Sequence, residues 1–320
     1  MKSRKAAILG LGHVGAHAAS ALCQQGIVDE LILIDANKQK LKSEVQDLND
    51  ALLWLPNSVR VYAGDFDDLK DADILIHSVG NIELLVGQSD RIHEMRFNLD
   101  AIDSYADKIK DSGFDGIVIN ISNPCDVITK YLAEKLGARK GQVFGTGTAL
   151  DTSRLISAIA HKTGLSRESI TGYMMGEHGN LQFAPKSLFS IHGAPLEKAV
   201  PDLGKLDWSE LEKEAIDGGW LTFSGKQCTE YGIAATAARL AKAVLEDEQV
   251  LLPVSAPLEG EYGIEGVYAG VPAIIGKNGV ERVVEMPLVK DELERLVSCT
   301  DGIKDNLAKA RAIEDEKIRQ

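Results

Sequence analysis

The sequence is poor in cysteine. Only four cysteines occur among 320 residues, and none belongs to a CxxC pair or to a Cys/His spacing that binds zinc. This scarcity excludes a disulfide-stabilised secreted domain and a zinc-binding domain, and we predict no metal site. Isolated cysteines are usually small buried side chains in a reducing compartment, so we predict a cytoplasmic protein. The four are Cys23, Cys125, Cys228 and Cys299.

The sequence also lacks long apolar runs and an excess of positive charge. No segment approaches the roughly 18 uninterrupted apolar residues that a membrane-spanning helix needs. Lys and Arg number 35 against 48 Asp and Glu, which gives a formal net charge of −13. Binding to a phosphate backbone requires the opposite balance. We therefore predict that neither a membrane nor a nucleic acid is a partner.

The composition is that of a folded globular protein, with 44% apolar and 26% charged residues. In the first part of the chain, short β-rich runs alternate with helical patterns, which is typical of βαβ units. We predict an α/β fold with a Rossmann-type doubly wound parallel sheet over residues 1–147. The predicted strands are Ala6–Leu9, Leu31–Ile34, Val59–Tyr62, Ile74–Val79, Ile117–Ile121 and Val143–Phe144. Helices are predicted up to about Gln25, over Lys38–Trp54 and Arg91–Asp111, and after Pro124.

From residue 148 to residue 320 the pattern is mixed, and we predict a second, α+β domain. No internal repeat and no Pro/Gly/Ser-rich linker separates the two parts, so we expect them to pack tightly together. Helices are predicted over Thr152–Thr163, Trp208–Asp217 and Thr229–Glu246, and from about Lys290 onward. Strands are predicted at Ile170–Met174, Phe183–Ile191, Val250–Val254, Ala273–Ile275 and Val280–Val284.

A GxGxxG motif, Gly10-Leu11-Gly12-His13-Val14-Gly15, lies between the first predicted strand and helix. In a dinucleotide-binding fold the first glycine permits a tight turn, the second lets the backbone approach a pyrophosphate, and the third allows close packing. Asp35 ends the next strand, where a carboxylate accepts hydrogen bonds from ribose hydroxyls and repels a 2′-phosphate. The pattern predicts NAD rather than NADP. The alternative is a set of ordinary turn glycines.

Three further segments carry polar groups that could act on a ligand. His178 lies between glycines in Gly176-Glu177-His178-Gly179-Asn180, and Asp151 and Arg154 share a face at a predicted helix start. Asn123 follows the fifth predicted strand, at the edge of the sheet where ligands bind. Taken from the residues alone, each segment has an ordinary alternative, namely a structural histidine, a surface ion pair and a turn-forming Asn-Pro.

In combination, these segments resemble the lactate/malate dehydrogenase family of L-2-hydroxy acid dehydrogenases. They occur in the family's order and cover nearly the whole chain, and Thr229 falls where the family has a substrate-pocket residue. The resemblance implies hydride transfer between NADH and a 2-oxo acid, and a homo-oligomer that is a tetramer or else a dimer. The matching segments are the glycine motif, Asp35, Arg91, Ser122-Asn123-Pro124, Leu150-Asp151-Thr152-Ser153-Arg154 and Gly176-Glu177-His178-Gly179.

The resemblance also implies a role for each residue. His178 would exchange a proton with the substrate oxygen, Asp151 would hold its ring, and Arg91 would polarise the carbonyl as a lid closes. Arg154 would bind the substrate carboxylate, and Asn123 would contact the substrate oxygen and the nicotinamide. The predicted cofactor contacts are Gly10, Gly12, His13, Val14, Gly15, Asp35, Gly80 and Asn123. The predicted substrate contacts are Arg154, Asn123, Thr229, Glu83, Leu84 and Leu85.

The lid, from Gly80 to Arg91, is longer than in ordinary lactate dehydrogenases. Residues 81–90 contain no cation, which disfavours a malate dehydrogenase, because an arginine there would pair with the second carboxylate of oxaloacetate. Glu83 stands where lactate dehydrogenases usually have Gln, and Leu84 and Leu85 follow. The lid looks closest to that of L-2-hydroxyisocaproate dehydrogenases, so we predict a substrate with a larger apolar side chain.

Two alternatives stay open. One is an L-lactate dehydrogenase with an unusual lid. The other is a non-catalytic NAD-binding redox sensor, which would not need His178, Asp151, Arg154 or Arg91. We predict no site for fructose 1,6-bisphosphate, because Ile156 and Thr171 hold the places where regulated bacterial lactate dehydrogenases carry Arg and His.

Overall fold

The computed structural model describes residues 3–88, 91–199 and 207–318, apart from the side chains of Arg91, Glu197 and Ile318. Within these residues, nine strands form one sheet and three short strands form a second. The strands are β1 (Lys5–Leu9), β2 (Glu30–Ile34), β3 (Arg60–Ala63), β4 (Ile74–His77), β5 (Ile117–Asn120), β6 (Val143–Gly145), β7 (Ile170–Thr171), β8 (Ser190–Ile191), β9 (Ala194–Pro195), β10 (Val250–Glu259), β11 (Glu265–Gly276) and β12 (Gly279–Val283). The helices are α1 (His13–Gln25), α2 (Lys38–Leu52), α3 (Met95–Asp111), α4 (Cys125–Leu136), α5 (Ala149–Thr163), α6 (Leu196–Ala199), α7 (Trp208–Lys226), α8 (Tyr231–Leu245) and α9 (Lys290–Ile318).

The first six strands of the large sheet are parallel, in the order β3-β2-β1-β4-β5-β6. This doubly wound order places the carboxyl ends of β1 and β4 side by side at the point where the strand order reverses. Ligands of such sheets bind at this point. The predicted Rossmann-type fold is confirmed.

These strands form because apolar runs are buried on both faces of the sheet. β1, β2, β4 and β5 are apolar almost throughout and nearly every residue in them is buried, as parallel strands covered by helices require. Leu22 of α1 and Ala237 of α8 belong to the apolar cluster on one face, and Leu99 of α3 and Leu132 of α4 belong to the cluster on the other.

The second part of the chain continues the same sheet. β10, β11 and β12 are antiparallel, and β10 pairs with β6 where Ser255 lies opposite Gly145. Gly145 is required there, because a Cβ would lie 2.7 Å from the Sγ of Cys125 and 2.9 Å from the Cβ of Ser255. The predicted boundary after residue 147 falls between β6 and α5, and the division into two domains stays a prediction.

Several predicted strands of the second part change in length. The prediction of a strand at Phe183–Ile191 is wrong except at β8. Pro185 has no N–H to donate to a neighbouring strand, and a short 3-10 turn over Lys186–Leu188 follows it. The predicted strand at Ile170–Met174 shortens to β7. The strands predicted at Val250–Val254 and Ala273–Ile275 are the ends of a hairpin whose strands have 10 and 12 residues.

The helix predicted to end at Asp217 continues as α7 to Lys226. Gly218 and Gly219 predict an end because glycine lowers helix propensity. The helix continues because the glycines allow it to approach α5 closely. A Cβ at Gly219 would lie 3.2 Å from the Nη1 of Arg154.

His77, the last residue of β4, is fully buried beneath the carboxyl edge of the sheet. Its Nδ1 lies 2.8 Å from the Oδ1 of Asn120, and its Nε2 lies 2.5 Å from the hydroxyl of Tyr105. Burial lowers the pKa of His77 to about 4, with the bond to Asn120 opposing this effect. The ring is therefore neutral near pH 7.

Replacing His77 with Gln should make folding less sensitive to acid. In the unfolded chain a histidine has a pKa of about 6.5, so between that pH and about 4 the unfolded state binds a proton that the native state rejects. The native protein therefore loses stability as the pH falls through this window, by about 3 kcal/mol once the pH reaches about 4. Urea unfolding near pH 7 and near pH 5 measures the loss.

The exposed His161, changed to Gln, is the control for this measurement. It should leave the pH dependence of the unfolding free energy unchanged. A His77→Gln protein that loses stability with acid as steeply as the wild type would contradict the prediction.

Candidate active site

A long cleft of about 970 Å³ follows the carboxyl edge of the parallel strands. The turn after β1 lines it. Gly10 has a φ of +93°, and a Cβ there would lie 2.7 Å from the carbonyl oxygen of Ser78, so only glycine fits. At Gly12, nothing of the described chain lies within 4 Å of an added Cβ. The backbone there faces open space, where a pyrophosphate can approach the amino end of α1.

Asp35 lines the same cleft, directly after β2. Its Oδ2 accepts a hydrogen bond from the amide of Leu11 at 2.7 Å, and its Oδ1 accepts one from the amide of Asn37 at 2.7 Å. These bonds hold the carboxylate beside the glycine turn. An ionised carboxylate has further lone pairs, which can accept from ribose hydroxyls. The arrangement fits a dinucleotide with a free 2′-hydroxyl.

A second pocket of about 320 Å³ continues this cleft to Asn123. The Oδ1 of Asn123 is buried and has no hydrogen-bond partner within the described parts of the chain. A buried, unpartnered polar atom at the end of a cofactor-sized cleft is what a bound nicotinamide or substrate would satisfy. The cleft and this pocket therefore have the side chains that binding of NAD requires. Its walls also include Gly12, His13, Val14, Gly80, Glu83 and Cys228.

His178, Asp151 and Arg154 form one hydrogen-bonded chain. The Nδ1 of His178 lies 2.6 Å from the Oδ2 of Asp151, and the Nη1 of Arg154 lies 2.6 Å from the Oδ1 of the same carboxylate. Asp151 is fully buried in the first turn of α5, and its two partners are mostly buried. Because Nδ1 bonds to Asp151, Nε2 is the nitrogen of His178 that a substrate would meet.

A narrow pocket opens beside this chain, and α7 forms part of its wall. The α7 residues are ones that sequence reasoning missed, although paired glycines inside a helical pattern signal a close approach. The Oε1 of Gln182, another wall residue, is buried without a partner among the residues described. The full wall is Asp151, Arg154, His178, Gly179, Asn180, Gln182, Ile216, Gly219 and Trp220.

The described part of the lid contains a short 3-10 turn over Ile82–Leu85. Glu83 lines the cofactor-side pocket, Leu85 is fully buried, and Leu84 is 40% exposed. Neither leucine lines the pocket beside His178. Ser89 and Asp90 lie outside the described residues, as does the side chain of Arg91. The predicted approach of Arg91 to a substrate stays a prediction.

The start of α8 contacts the glycine motif through a residue that sequence reasoning missed. The Nδ1 of His13 lies 2.9 Å from the Oε1 of Glu230, and Lys226 also bonds to this carboxylate. The bond from Lys226 is the main reason that the pKa of Glu230 is lowered. Thr229, the predicted substrate contact, is half-buried just before Glu230 and lines neither pocket.

The described ranges contain no group of three or more His, Cys, Asp or Glu side chains that could hold a metal ion. No helix in these ranges is long and apolar enough to cross a membrane. The four cysteines are buried and reduced.

Two models of protein families match this chain. The NAD-binding domain of lactate/malate dehydrogenases matches residues 4–145, and their α/β C-terminal domain matches residues 148–314. The chain belongs to the lactate/malate dehydrogenase family. It is an oxidoreductase that acts on the CH–OH group of 2-hydroxy acids, and its cofactor is NAD.

Individual relatives are similar over almost their whole length. The L-lactate dehydrogenase of Fusobacterium nucleatum subsp. nucleatum is 40% identical over 299 residues, which are 92% of each chain. An L-lactate dehydrogenase of Lactococcus lactis subsp. cremoris is 37% identical over 306 residues, 95% of this chain and 97% of the relative. The ligand-bound crystal structure of the minor L-lactate dehydrogenase of Enterococcus mundtii has a TM-score of 0.91 at 34% identity, covering 96% of this chain and 98% of that one.

Replacing Asp35 with Asn should weaken the discrimination between NADH and NADPH. The change removes the charge that accepts from ribose hydroxyls and repels a 2′-phosphate. We expect the ratio of kcat/KM for NADH to kcat/KM for NADPH to fall by at least about tenfold, because the loss of one charge-assisted hydrogen bond has an effect of this size. Asp67→Asn removes a carboxylate from the wall of the same cleft and is the control. An Asp35→Asn enzyme with the wild-type ratio would refute the assignment of this carboxylate.

Proposed function

We propose that this protein is an L-lactate dehydrogenase that reduces pyruvate to L-lactate. The observation that carries the proposal is the hydrogen-bonded chain of His178, Asp151 and Arg154, in a protein whose cleft at the edge of the parallel sheet fits NAD. The names of its relatives support pyruvate over the larger substrate predicted from the lid, because all three are L-lactate dehydrogenases. Bound NADH supplies the hydride.

His178 is the proton donor in this proposal. Its Nε2 gives a proton to the carbonyl oxygen of pyruvate and takes one from the hydroxyl of lactate in the reverse direction. Asp151 accepts from Nδ1, which fixes the tautomer and the orientation of the ring. One proton is consumed for each pyruvate that is reduced.

Arg154 and Asn123 orient the substrate. The bond to Asp151 occupies one of the five N–H donors of the Arg154 guanidinium, so the fork can still bind a carboxylate through two parallel bonds. Asn123 contacts the reacting oxygen from the cofactor side. Arg91 polarises the carbonyl when the lid closes over the substrate. These roles rest on the family resemblance and on the positions described above.

Replacing His178 with Asn should remove most turnover and leave NADH binding nearly intact. An amide does not exchange a proton as imidazole does, so we expect kcat for pyruvate reduction to fall by at least about 10²-fold. Stopped-flow kinetics give kcat, and quenching of protein fluorescence gives the Kd for NADH. The exposed His161→Asn on α5 is the control. A His178→Asn enzyme with the wild-type kcat would show that another group donates the proton.

A second candidate is a dehydrogenase of 2-oxo acids with larger apolar side chains. Ile216 and Trp220 give the pocket an apolar wall, and Gly219 leaves space where a side chain would meet Arg154. The positions of Leu84 and Leu85 support this candidate less than their sequence does, since neither lines the pocket. Both candidates disfavour oxaloacetate, because residues 81–90 contain no cation that could pair with its second carboxylate.

A panel of pyruvate, 4-methyl-2-oxopentanoate and oxaloacetate, compared by kcat/KM at one pH, decides between these substrates. We expect pyruvate first and oxaloacetate last. Gly219→Ala should lower activity with 4-methyl-2-oxopentanoate about tenfold more than with pyruvate, because the added methyl in the pocket wall, 3.2 Å from the Nη1 of Arg154, leaves less room for the larger substrate. Gly225→Ala in the same helix, where an added Cβ meets nothing described within 4 Å, is the control. A clear preference for 4-methyl-2-oxopentanoate would establish the second candidate instead.

We further propose that the protein is a cytoplasmic homo-oligomer, a tetramer or a dimer. Leu221 of α7 and Tyr231 of α8 are each 73% exposed, and a second copy of the chain would cover such large apolar side chains. The absence of a cation at Ile156 and of a donor ring at Thr171 supports an enzyme that fructose 1,6-bisphosphate does not activate.

A further inference from the structure

Asp126 is a buried carboxylate that has no role in the reaction as assigned above. It is the second residue of α4 and is 2% exposed. Its Oδ2 accepts a hydrogen bond from the backbone N of His178 at 2.8 Å, and its Oδ1 accepts one from the Oγ of Ser255 at 2.5 Å. These partners are 52 and 129 residues away in the chain. One carboxylate therefore joins α4, the His178 loop and β10.

The position of Asp126 connects the two sides of the site. Asn123, which lines the cofactor-side pocket, lies just before the start of α4. Asp126 follows in the first turn of that helix and bonds to the backbone of His178. Asp151 holds the ring of His178 and Asp126 holds its backbone, so separate carboxylates fix the rotation of the ring and the position of the loop.

Asp126 also brings a negative charge close to His178. Burial raises the pKa of Asp126 to about 6, the bonds from Ser255 and His178 lower it, and the nearby Asp151 raises it. The carboxylate is therefore mostly ionised at neutral pH. A buried negative charge attracts a protonated ring strongly, because little solvent screens the interaction.

The other charged or titratable groups around this cluster lie on α4, on α5, in the His178 loop and on α9. Cys125 on α4 contributes a neutral thiol, because burial raises its pKa to about 12. Asp151 and Arg154 are on α5, and Glu177 is in the His178 loop itself, where the amide of Asn306 on α9 donates to it. Cys299, also on α9, contributes a neutral thiol, because burial raises its pKa to about 11. Asp126 is the acid on the α4 side of His178.

We propose that Asp126 is a positioning residue of the reaction, which fixes the backbone of His178 against α4 and whose charge favours the protonated imidazole. This proposal rests on the proposed role of His178 as the proton donor. The two carboxylates then have different roles. Asp151 orients the ring and is the nearer charge, and Asp126 holds the loop and adds a second negative charge.

The test is Asp126→Asn, which removes the charge and keeps the shape of the side chain. The amide oxygen can accept from the backbone of His178, and the amide NH₂ can donate to the Oγ of Ser255. Pyruvate reduction near pH 8 needs a protonated His178 and should fall. L-Lactate oxidation near pH 7 needs a neutral ring and should be retained or rise.

In both directions, the pH of half-maximal kcat/KM should move toward acid by about one unit. Mere damage to the fold would lower both reactions without this shift. Below pH about 6 the wild type and the variant should converge, because the wild-type carboxyl then takes up its own proton.

Glu292→Gln is the matched control. Glu292 is also a buried carboxylate that accepts from a backbone N–H and a hydroxyl, both of Ser187, and its bonds involve none of the site residues. This variant should lower the melting temperature to a similar degree and leave the pH dependence of turnover unchanged.

Ser255→Ala is a second variant, which keeps the proposal testable if Asp126→Asn does not fold. It removes one bond that lowers the pKa of Asp126, so it should give a smaller shift in the same direction. An active wild type with an unchanged pH dependence in both variants would overturn the role of Asp126 alone. A wild type without turnover of any 2-oxo acid would refute the proposed function, and the role of Asp126 with it.

Discussion

The hairpin of β10 and β11 holds the His178 loop against the parallel sheet. Ser255 on β10 pairs with Gly145 at the end of that sheet and donates to Asp126. Gly270 on β11 exchanges two backbone hydrogen bonds with Gly176, of 2.9 and 2.7 Å. A side chain at Gly270 would collide with the side chain of Thr148, just before α5, so glycine allows β11 to approach both Thr148 and Gly176 closely. The junction fixes Gly176, two residues before His178, relative to the hairpin and the parallel sheet.

The two halves of the site depend on this junction in different ways. The cofactor cleft is built mainly on the parallel strands, because the turns after β1, β2 and β4 meet at one edge of the sheet, and α3 forms a further wall. The substrate pocket needs α5, α7 and the His178 loop, which come from the later part of the chain. The amide of Asn98 on α3 donates to the carbonyl of Asn123 at 2.6 Å and holds the turn at the end of the cofactor-side pocket.

Sequence patterns predicted the parts of the site that local geometry determines. The role of Gly10 can be predicted from the sequence because a tight turn needs a positive φ. The role of Asp35 can be predicted because the residue follows an apolar run that indicates a strand. Asp126 looks like an ordinary acid in the first turn of a helix, and only the fold brings it to His178. In the sequence Leu85 looks like a substrate contact, but its side chain is fully buried. Packing in the protein interior removes an apolar side chain from water just as contact with an apolar substrate would. Trp220 was missed because the wall of a pocket depends on the packing of helices.

In the proposed mechanism, the charges around His178 favour a substrate with one carboxylate. Asp151 is negative, Arg154 is positive, His178 is positive when protonated, and the ionised Asp126 offsets one of these positive charges. The substrate carboxylate pairs with Arg154, and the protonated donor faces the substrate oxygen. In the proposed mechanism, Arg91 brings a further positive charge when the lid closes, and this charge balances the negative oxygen that develops during reduction. No cation remains for a second carboxylate, since residues 81–90 supply none. α7 forms the apolar wall of the pocket with Ile216 and Trp220, and Gly219 lets this helix lie close to Arg154.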